Sequence, residues 1–214
     1  MKIAVIGTGM VGATIGSGLI ALGHEVMMGS RTRENQKAIE WKKSNGSKAS
    51  NGTFFEAASF GEIIFNCTSG QASLEALQLA GRENLSGKVL VDIANPLDFS
   101  GGMPPSLSIC NTDSLGEAIQ RQFPDVKVVK TLNTVNCSIM INPSSLSEPT
   151  SIFVSGNDES AKSTVKEILS AFGWKDIIDL GDITTARGTE QLLPIWIRLM
   201  VSMGTPTFNF RIVK

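Results

Sequence analysis

Lys2-Ile3-Ala4-Val5-Ile6-Gly7-Thr8-Gly9-Met10-Val11-Gly12 follows Met1 directly, and its reading decides the fold. Lys2 to Ile6 is a short β-branched apolar run of the kind buried in a parallel sheet. After the glycines, Val11, Ile15, Leu19 and Leu22 recur at helical spacing, and Gly23 stands where a helix stop is expected. Strand, glycine turn and helix in that order are the context the dinucleotide fingerprint requires. Gly7 permits the tight turn, Gly9 lets a pyrophosphate approach the backbone, and Gly12 lets helix and strand pack closely. From Gly7 through Thr8, Gly9 and Met10 to Val11, the backbone then leads into a helix N-terminus with free N–H groups and a positive dipole end.

Glu25-Val26-Met27-Met28-Gly29 reads as the second strand. Its end lies about twenty residues past the glycines, where an NAD site places Asp or Glu on the ribose hydroxyls. This chain has Ser30-Arg31-Thr32-Arg33 there. No carboxylate repels a 2′-phosphate, and the guanidiniums of Arg31 and Arg33 are suited to grip one through paired hydrogen bonds. The expected dinucleotide is NADP; the plainer reading leaves both arginines as solvated loop charges.

At 214 residues the chain can bury one substantial core, or one large domain with a smaller appendage. A formal net charge of -1 offers no general attraction to nucleic acid or anionic membrane, so a small-molecule partner is expected. Cys67, Cys110 and Cys137 are widely spaced and form no Cys-x-x-Cys, which suggests reduced, structural thiols and neither a disulfide scaffold nor a metal site. The chain opens on a core strand, so no leader is expected, and no apolar run reaches the span of a bilayer. A soluble, cytoplasmic protein is the expectation.

Further along, Glu62–Cys67, Lys88–Ile93 and Val126–Leu132 read as buried strands, and residues 71–80 and 115–123 read as helices. Ser114 and Glu117 make a capping box for the second of these. The polar patch Ser44 to Gly52 reads as a surface loop. Strands alternating with helices give an α/β, Rossmann-type doubly wound parallel sheet over residues 1–142. Past Pro143, strands at 151–155 and 176–180 and a helix at 159–172 suggest a smaller C-terminal α/β unit, residues 143–214. It ends in a helix from Thr189 to Met203 that is apolar nearly all round, to be buried in the core or in a subunit interface.

Such sheets bind ligands at their carboxyl edge. The loops there carry Thr68-Ser69-Gly70, Ala94-Asn95-Pro96-Leu97 and Asn133-Thr134-Val135-Asn136. Thr68, Ser69, Asn95, Pro96 and Asn133 supply hydroxyls and amides suited to a ribose and a carboxamide, although each is also an ordinary turn former. The lone His24 falls at the opposite edge and Tyr is absent, so the common dehydrogenase acids are missing and the catalytic residues stay unassigned. Either hydride passes directly between stacked rings with little acid–base help, or the chain binds NADP as a sensor without turnover, or it is an acid–base reductase of imines or ketones whose proton comes from substrate or water. Ser100–Pro105 reads as a lid over the acceptor or as a plain irregular loop.

With these residues laid out, the chain resembles the NADP-dependent oxidoreductases of the coenzyme F420 type, from Ile6-Gly7-Thr8-Gly9 through Leu22-Gly23-His24-Glu25 and Gly29-Ser30-Arg31 to Arg187-x-x-Glu190-x-Leu192-x-Pro194. The resemblance implies a homodimer, NADP 2′-phosphate contacts at Thr8, Ser30 and Arg31 with Arg33 as a neighbour, and a deazaflavin as hydride acceptor. Departures fall on the acceptor side. Thr68-Ser69-Gly70 stands where archaeal members have a Pro-Trp pair, and Leu132-Asn133-Thr134 where they have a His and a Pro. The cytosolic NADPH domain of six-transmembrane ferric reductases is similar too, which keeps a flavin open as acceptor.

Overall fold

The computed structural model describes residues 1–213. Its elements run β1 (Lys2–Ile6), α1 (Met10–Ala21), β2 (Glu25–Ser30), α2 (Gln36–Asn45), β3 (Ala49–Thr53), α3 (Phe54–Phe60), β4 (Ile63–Asn66), α4 (Gly70–Ala80), α5 (Arg82–Leu85) and β5 (Val89–Asp92). There follow β6 (Leu97–Asp98), β7 (Ser106–Leu107), α6 (Leu115–Gln122), β8 (Lys127–Thr131), α7 (Cys137–Met140), β9 (Ser151–Gly156), α8 (Glu159–Ala171), β10 (Asp176–Gly181), α9 (Ala186–Gln191) and α10 (Leu193–Met203). One eight-stranded sheet has the order β10-β9-β8-β5-β4-β1-β2-β3, with the strand order reversing between β1 and β4. All pairings within this sheet are parallel except that of β9 with β8, and β6 and β7 form a separate antiparallel pair.

Period-2 alternation divides the core between two faces. Ile3 and Val5 of β1 join α1, α2 and α8 residues such as Ile15, Leu19, Trp41 and Leu169 on one side. Ala4 and Ile6 join Ala57, Leu77 and Ile119 from α3, α4 and α6 on the other. Both faces of the central strands are covered, which is why they read as unbroken apolar runs.

Four expectations need correction. The 44–52 patch is not a loop throughout: Ala49–Thr53 pairs with β2 as an edge strand, and pairing overrides the weak strand preference of Ala-Ser-Asn-Gly-Thr. Thr53 and Glu56 then form the reciprocal capping box that starts α3. At α6 only half the expected box exists. Ser114 Oγ accepts from Glu117 N at 3.1 Å, but Ser114 N donates to Asp113, and the Glu117 carboxylate accepts from the Ser114 hydroxyl and from Arg187 rather than from Ser114 N. The helix expected at 189–203 is split, because Pro194 lacks an N–H and belongs in a first turn. Cys110 is exposed, whereas Cys67 and Cys137 are buried.

The strands of residues 143–214 extend the first sheet. The expected boundary after residue 142 lies in the connection between β8 and β9, where strand direction reverses.

In the centre of the sheet, the fully buried Lys130 Nζ of β8 lies 2.8 Å from both Asp92 Oδ2 of β5 and Glu190 Oε1 of α9. It also donates to the Ala94 carbonyl. Glu190 in turn accepts from Leu115 N at 2.8 Å and Gly116 N at 3.1 Å, capping α6 from a distant part of the chain. Burial alone lowers an ammonium pKa, but the charges and hydrogen bonds of Asp92 and Glu190 outweigh it, and Lys130 is raised. Lys130→Met leaves two buried carboxylates without their cation and is expected to lower stability by about 3–5 kcal/mol in urea unfolding. A loss under about 1 kcal/mol, the scale of a surface pair, would mean that the triad does not hold the sheet.

Candidate functional site

The glycine turn shows which of its residues the fold itself demands. Gly7 has φ +118°, and a Cβ there would meet Cys67 O at 2.7 Å. At Gly12 a Cβ would meet Gly7 O at 2.2 Å. Both glycines are required by backbone packing. Gly9 is different: its φ of -75° and ψ of -178° suit any residue, and a Cβ would meet nothing within 4 Å. Nothing in the protein asks for glycine at that position. As N-cap of α1 it also provides no side chain to satisfy the first-turn N–H groups.

Three adjoining cavities run from this turn along the carboxyl edge. The first, about 250 Å³, lies between β1, β2 and α4 and is lined by Gly7, Thr8, Gly9, Ser30, Arg31, Asn35, Phe54, Thr68, Ser69, Glu75 and Leu79. The second, about 220 Å³, shares Cys67, Thr68 and Ser69 with it and adds Val11, Asn95, Leu97 and Phe99. The third, about 250 Å³, shares Val11, Asn95 and Leu97 with the second and adds Met10, Asn133, Asn136, Met140, Leu193 and Trp196. A fourth, about 210 Å³ under the 143–150 loop, shares no lining residue with these.

Eleven of the fourteen expected residues therefore line one groove, and Gly12, Arg33 and Pro96 do not. Gly12 packs beneath the turn. The Pro96 carbonyl accepts from Ser108 N at 2.8 Å, holding the hairpin of β6 and β7 over the edge, and so the 100–105 stretch forms the hairpin tip. Arg33 is held by Glu56 in a tight ion pair beside the α3 cap. Arg31 is 67% exposed and, among the described residues, has only Glu75, 4.0 Å away, as ion-pair partner. Ser30 is buried, and its hydroxyl donates to Thr32 O at 2.5 Å. Asn95 and Asn133 lock their loops together: Asn95 Nδ2 donates to Asn133 O at 2.8 Å, and Asn133 Nδ2 donates to Asn95 Oδ1 at 3.0 Å.

Sequence reading missed Asn35, Phe54, Glu75, Phe99 and Trp196, and placed Asn136 at the edge only as part of its loop. Most lie inside helices or a hairpin, where nothing local marks them as groove-facing. Lys130 did carry a signal, an ammonium within the apolar strand Val128-Val129-Lys130. The Cys67 thiol borders the groove but is inert, because burial and then the Asp92 charge push its pKa up. His24 is half-buried before β2, at the amino edge away from all three cavities, with its pKa lowered chiefly by burial. Among the described residues no group of His, Cys, Asp and Glu is placed to hold a metal, and no helix is long and apolar enough to cross a membrane.

The family model described as NADP oxidoreductase, coenzyme F420-dependent, matches residues 2–96. A crystal structure of a candidate F420-dependent NADP-reductase from Arthrobacter sp. FB24 superposes with a TM-score of 0.97, at 52% identity over 100% of both chains. The chain belongs to the F420-dependent NADP oxidoreductase family. Within this oxidoreductase family, the F420-dependent NADP reductase of Methanocaldococcus jannaschii is 28% identical over 100% of this chain and 99% of its own. The metalloreductase STEAP3 of Rattus norvegicus is 26% identical over 95% of this chain but only 39% of its own length.

The Arg33–Glu56 pair makes a pH prediction. The Arg33 hydrogen bond, with help from Thr53, lowers the Glu56 pKa to about 2. The pair's contribution is therefore present above the unfolded Glu value of roughly 4.3 and is lost as pH falls through the folded value. An NMR titration of the Glu56 carboxyl should show its midpoint near 2. A midpoint at or above the unfolded value would mean that Arg33 is free to serve the groove.

Proposed function

We propose that this chain is a homodimeric NADP(H)-dependent oxidoreductase that passes hydride between the nicotinamide ring and a flat tricyclic acceptor, a deazaflavin or flavin, seated in the third cavity. The observation that carries the cofactor reading is Gly9, which lines the first cavity at the N-cap of α1 although neither its backbone conformation nor its packing calls for glycine. The uncapped first turn of α1 beside it suits a pyrophosphate.

Gly7 to Val11 present backbone to the pyrophosphate. Arg31, exposed and loosely partnered, is free to take the 2′-phosphate, with Thr8 and Ser30 alongside. Arg33 contributes charge nearby while remaining on Glu56. Thr68, Ser69, Asn95 and Asn133 surround the nicotinamide end, and Pro96 fixes the hairpin above it. When bound, NADPH supplies two electrons and one proton as hydride. The protein's share is proximity and exclusion of water, since neither His nor Tyr borders the groove. The proton that completes acceptor reduction comes from solvent. The third cavity favours an enzyme over an NADP sensor, which needs no such room beside the cofactor.

The homodimer rests on α10. Ile195, Val201 and Met203 are 48%, 65% and 54% exposed on one short helix, while only its Leu193 and Ile197 are buried. Leu193 and Ile197 pack inward while these apolar side chains stay open around the helix, which supports a second copy of the chain as their cover. Sedimentation equilibrium should give twice the chain mass, and Ile195→Glu with Val201→Glu should return it to the monomer. A wild-type monomer at micromolar concentration would remove the dimer.

Anaerobic mixing of protein, NADPH and coenzyme F420 should bleach the deazaflavin absorbance, with FMN as a parallel acceptor. Bleaching no faster than in the protein-free control, for both acceptors, would leave NADP binding without the proposed turnover. Arg31→Glu should move the NADPH-to-NADH affinity ratio toward NADH by roughly 10- to 100-fold, the range of a charge-assisted hydrogen bond. An unchanged ratio would exclude Arg31 as the phosphate contact.

A further inference from the structure

A buried hydrogen-bond chain links the Lys130 triad to the groove, and its polarity can be read link by link. Asp92, held by Lys130 on Oδ2, is a carboxylate and can only accept. Asn66 Nδ2 donates to Asp92 Oδ1 at 2.8 Å and to Ser73 Oγ at 3.0 Å. That fixes the amide: its nitrogen faces Asp92 and its oxygen faces the other way. Asn66 Oδ1 lies 2.7 Å from Thr68 Oγ1, and because an amide oxygen cannot donate, the Thr68 hydroxyl must.

A hydroxyl has one proton, and that of Thr68 is committed inward. Ser73 Oγ, 2.9 Å from Thr68 Oγ1, can therefore only donate to it, or else donate to Ser69 O at 3.2 Å. Thr68 borders both the first and the second cavity. What its oxygen can offer a ligand is therefore a lone pair and no proton. An isolated threonine would rotate to donate or accept as the ligand required; this one has lost the choice.

We propose that Thr68 is an obligate acceptor for an N–H of the nicotinamide carboxamide. Asn66, Asp92 and Lys130 are the positioning residues that keep it so, and the site selects an amide-bearing ring over one carrying a ketone. The proposal rests on the NADP reading above. A methyl ketone in the carboxamide's place has no proton to offer, and it sets its oxygen or its methyl group against lone pairs that water no longer reaches. The cost of one such unmet hydrogen bond corresponds to about tenfold in affinity.

The probes are NADP⁺ and its 3-acetylpyridine analogue, in which a methyl group replaces the amide nitrogen, with Kd measured by calorimetry. Wild-type protein should bind the analogue about tenfold more weakly. Thr68→Val should bring the two affinities to within about twofold, whereas Thr68→Ser should keep the difference. Asn66→Ala combined with Ser73→Ala separates polarity from packing. It removes both inward acceptors of the Thr68 proton, which is then free for the groove, and discrimination should shrink to within about twofold although the hydroxyl is still present. The Thr68 pair carries the test if folding fails. Equal wild-type affinities with tight NADP⁺ binding, or discrimination surviving in Thr68→Val, would overturn this proposal alone. A wild-type protein that binds neither probe would overturn the NADP reading first.

Discussion

An ammonium with no access to water, shared between two carboxylates, is the constraint on which the rest of the structure depends. Lys130 joins β8 to β5 through Asp92 and to α9 through Glu190, and Glu190 passes the connection on to the N-terminus of α6. One cation and two carboxylates leave an excess negative charge, and the free N–H groups and dipole of α6 face it. Each partner is costly to bury alone and acceptable only with the others. Segments far apart in sequence are thereby held to one geometry at the carboxyl edge, where the groove lies.

That triad gives physical content to the Arg187-x-x-Glu190-x-Leu192-x-Pro194 pattern near the C-terminus. Arg187 pairs with Glu117, Glu190 completes the triad, and Pro194 starts α10. None of the three polar or imino positions faces the groove; the helix they set in place sends Leu193 and Trp196 there.

Much of the fold was legible because its central strands are apolar on both faces and its glycines sit at fixed offsets. Lys2–Ile6, Gly7, Gly12 and the helix after them carry local signals strong enough to read alone. Ala49–Thr53 could not be read that way, since an edge strand of small polar residues exists only because β2 is beside it. The groove was legible where it is made of loops following strands, as at Thr68, Asn95 and Asn133. It was not legible at Glu75 or Trp196, whose relation to it depends on how α4 and α10 are docked. Arg31 and Arg33 look equivalent in sequence, and only the capping box at Glu56 separates them.

The groove is divided along the chain as well as in space. Its first cavity is built wholly from residues before Ala80, within the stretch matched by the family model, whereas the third draws on Asn133, Asn136, Met140, Leu193 and Trp196 from beyond it. Inheritance can therefore act on the two ends separately. Substitutions after residue 132 can reshape the far chamber while the glycine turn and Arg31 stay as they are. On the proposed reading, a lineage built on this plan can change what it reduces without relearning how to hold the reductant.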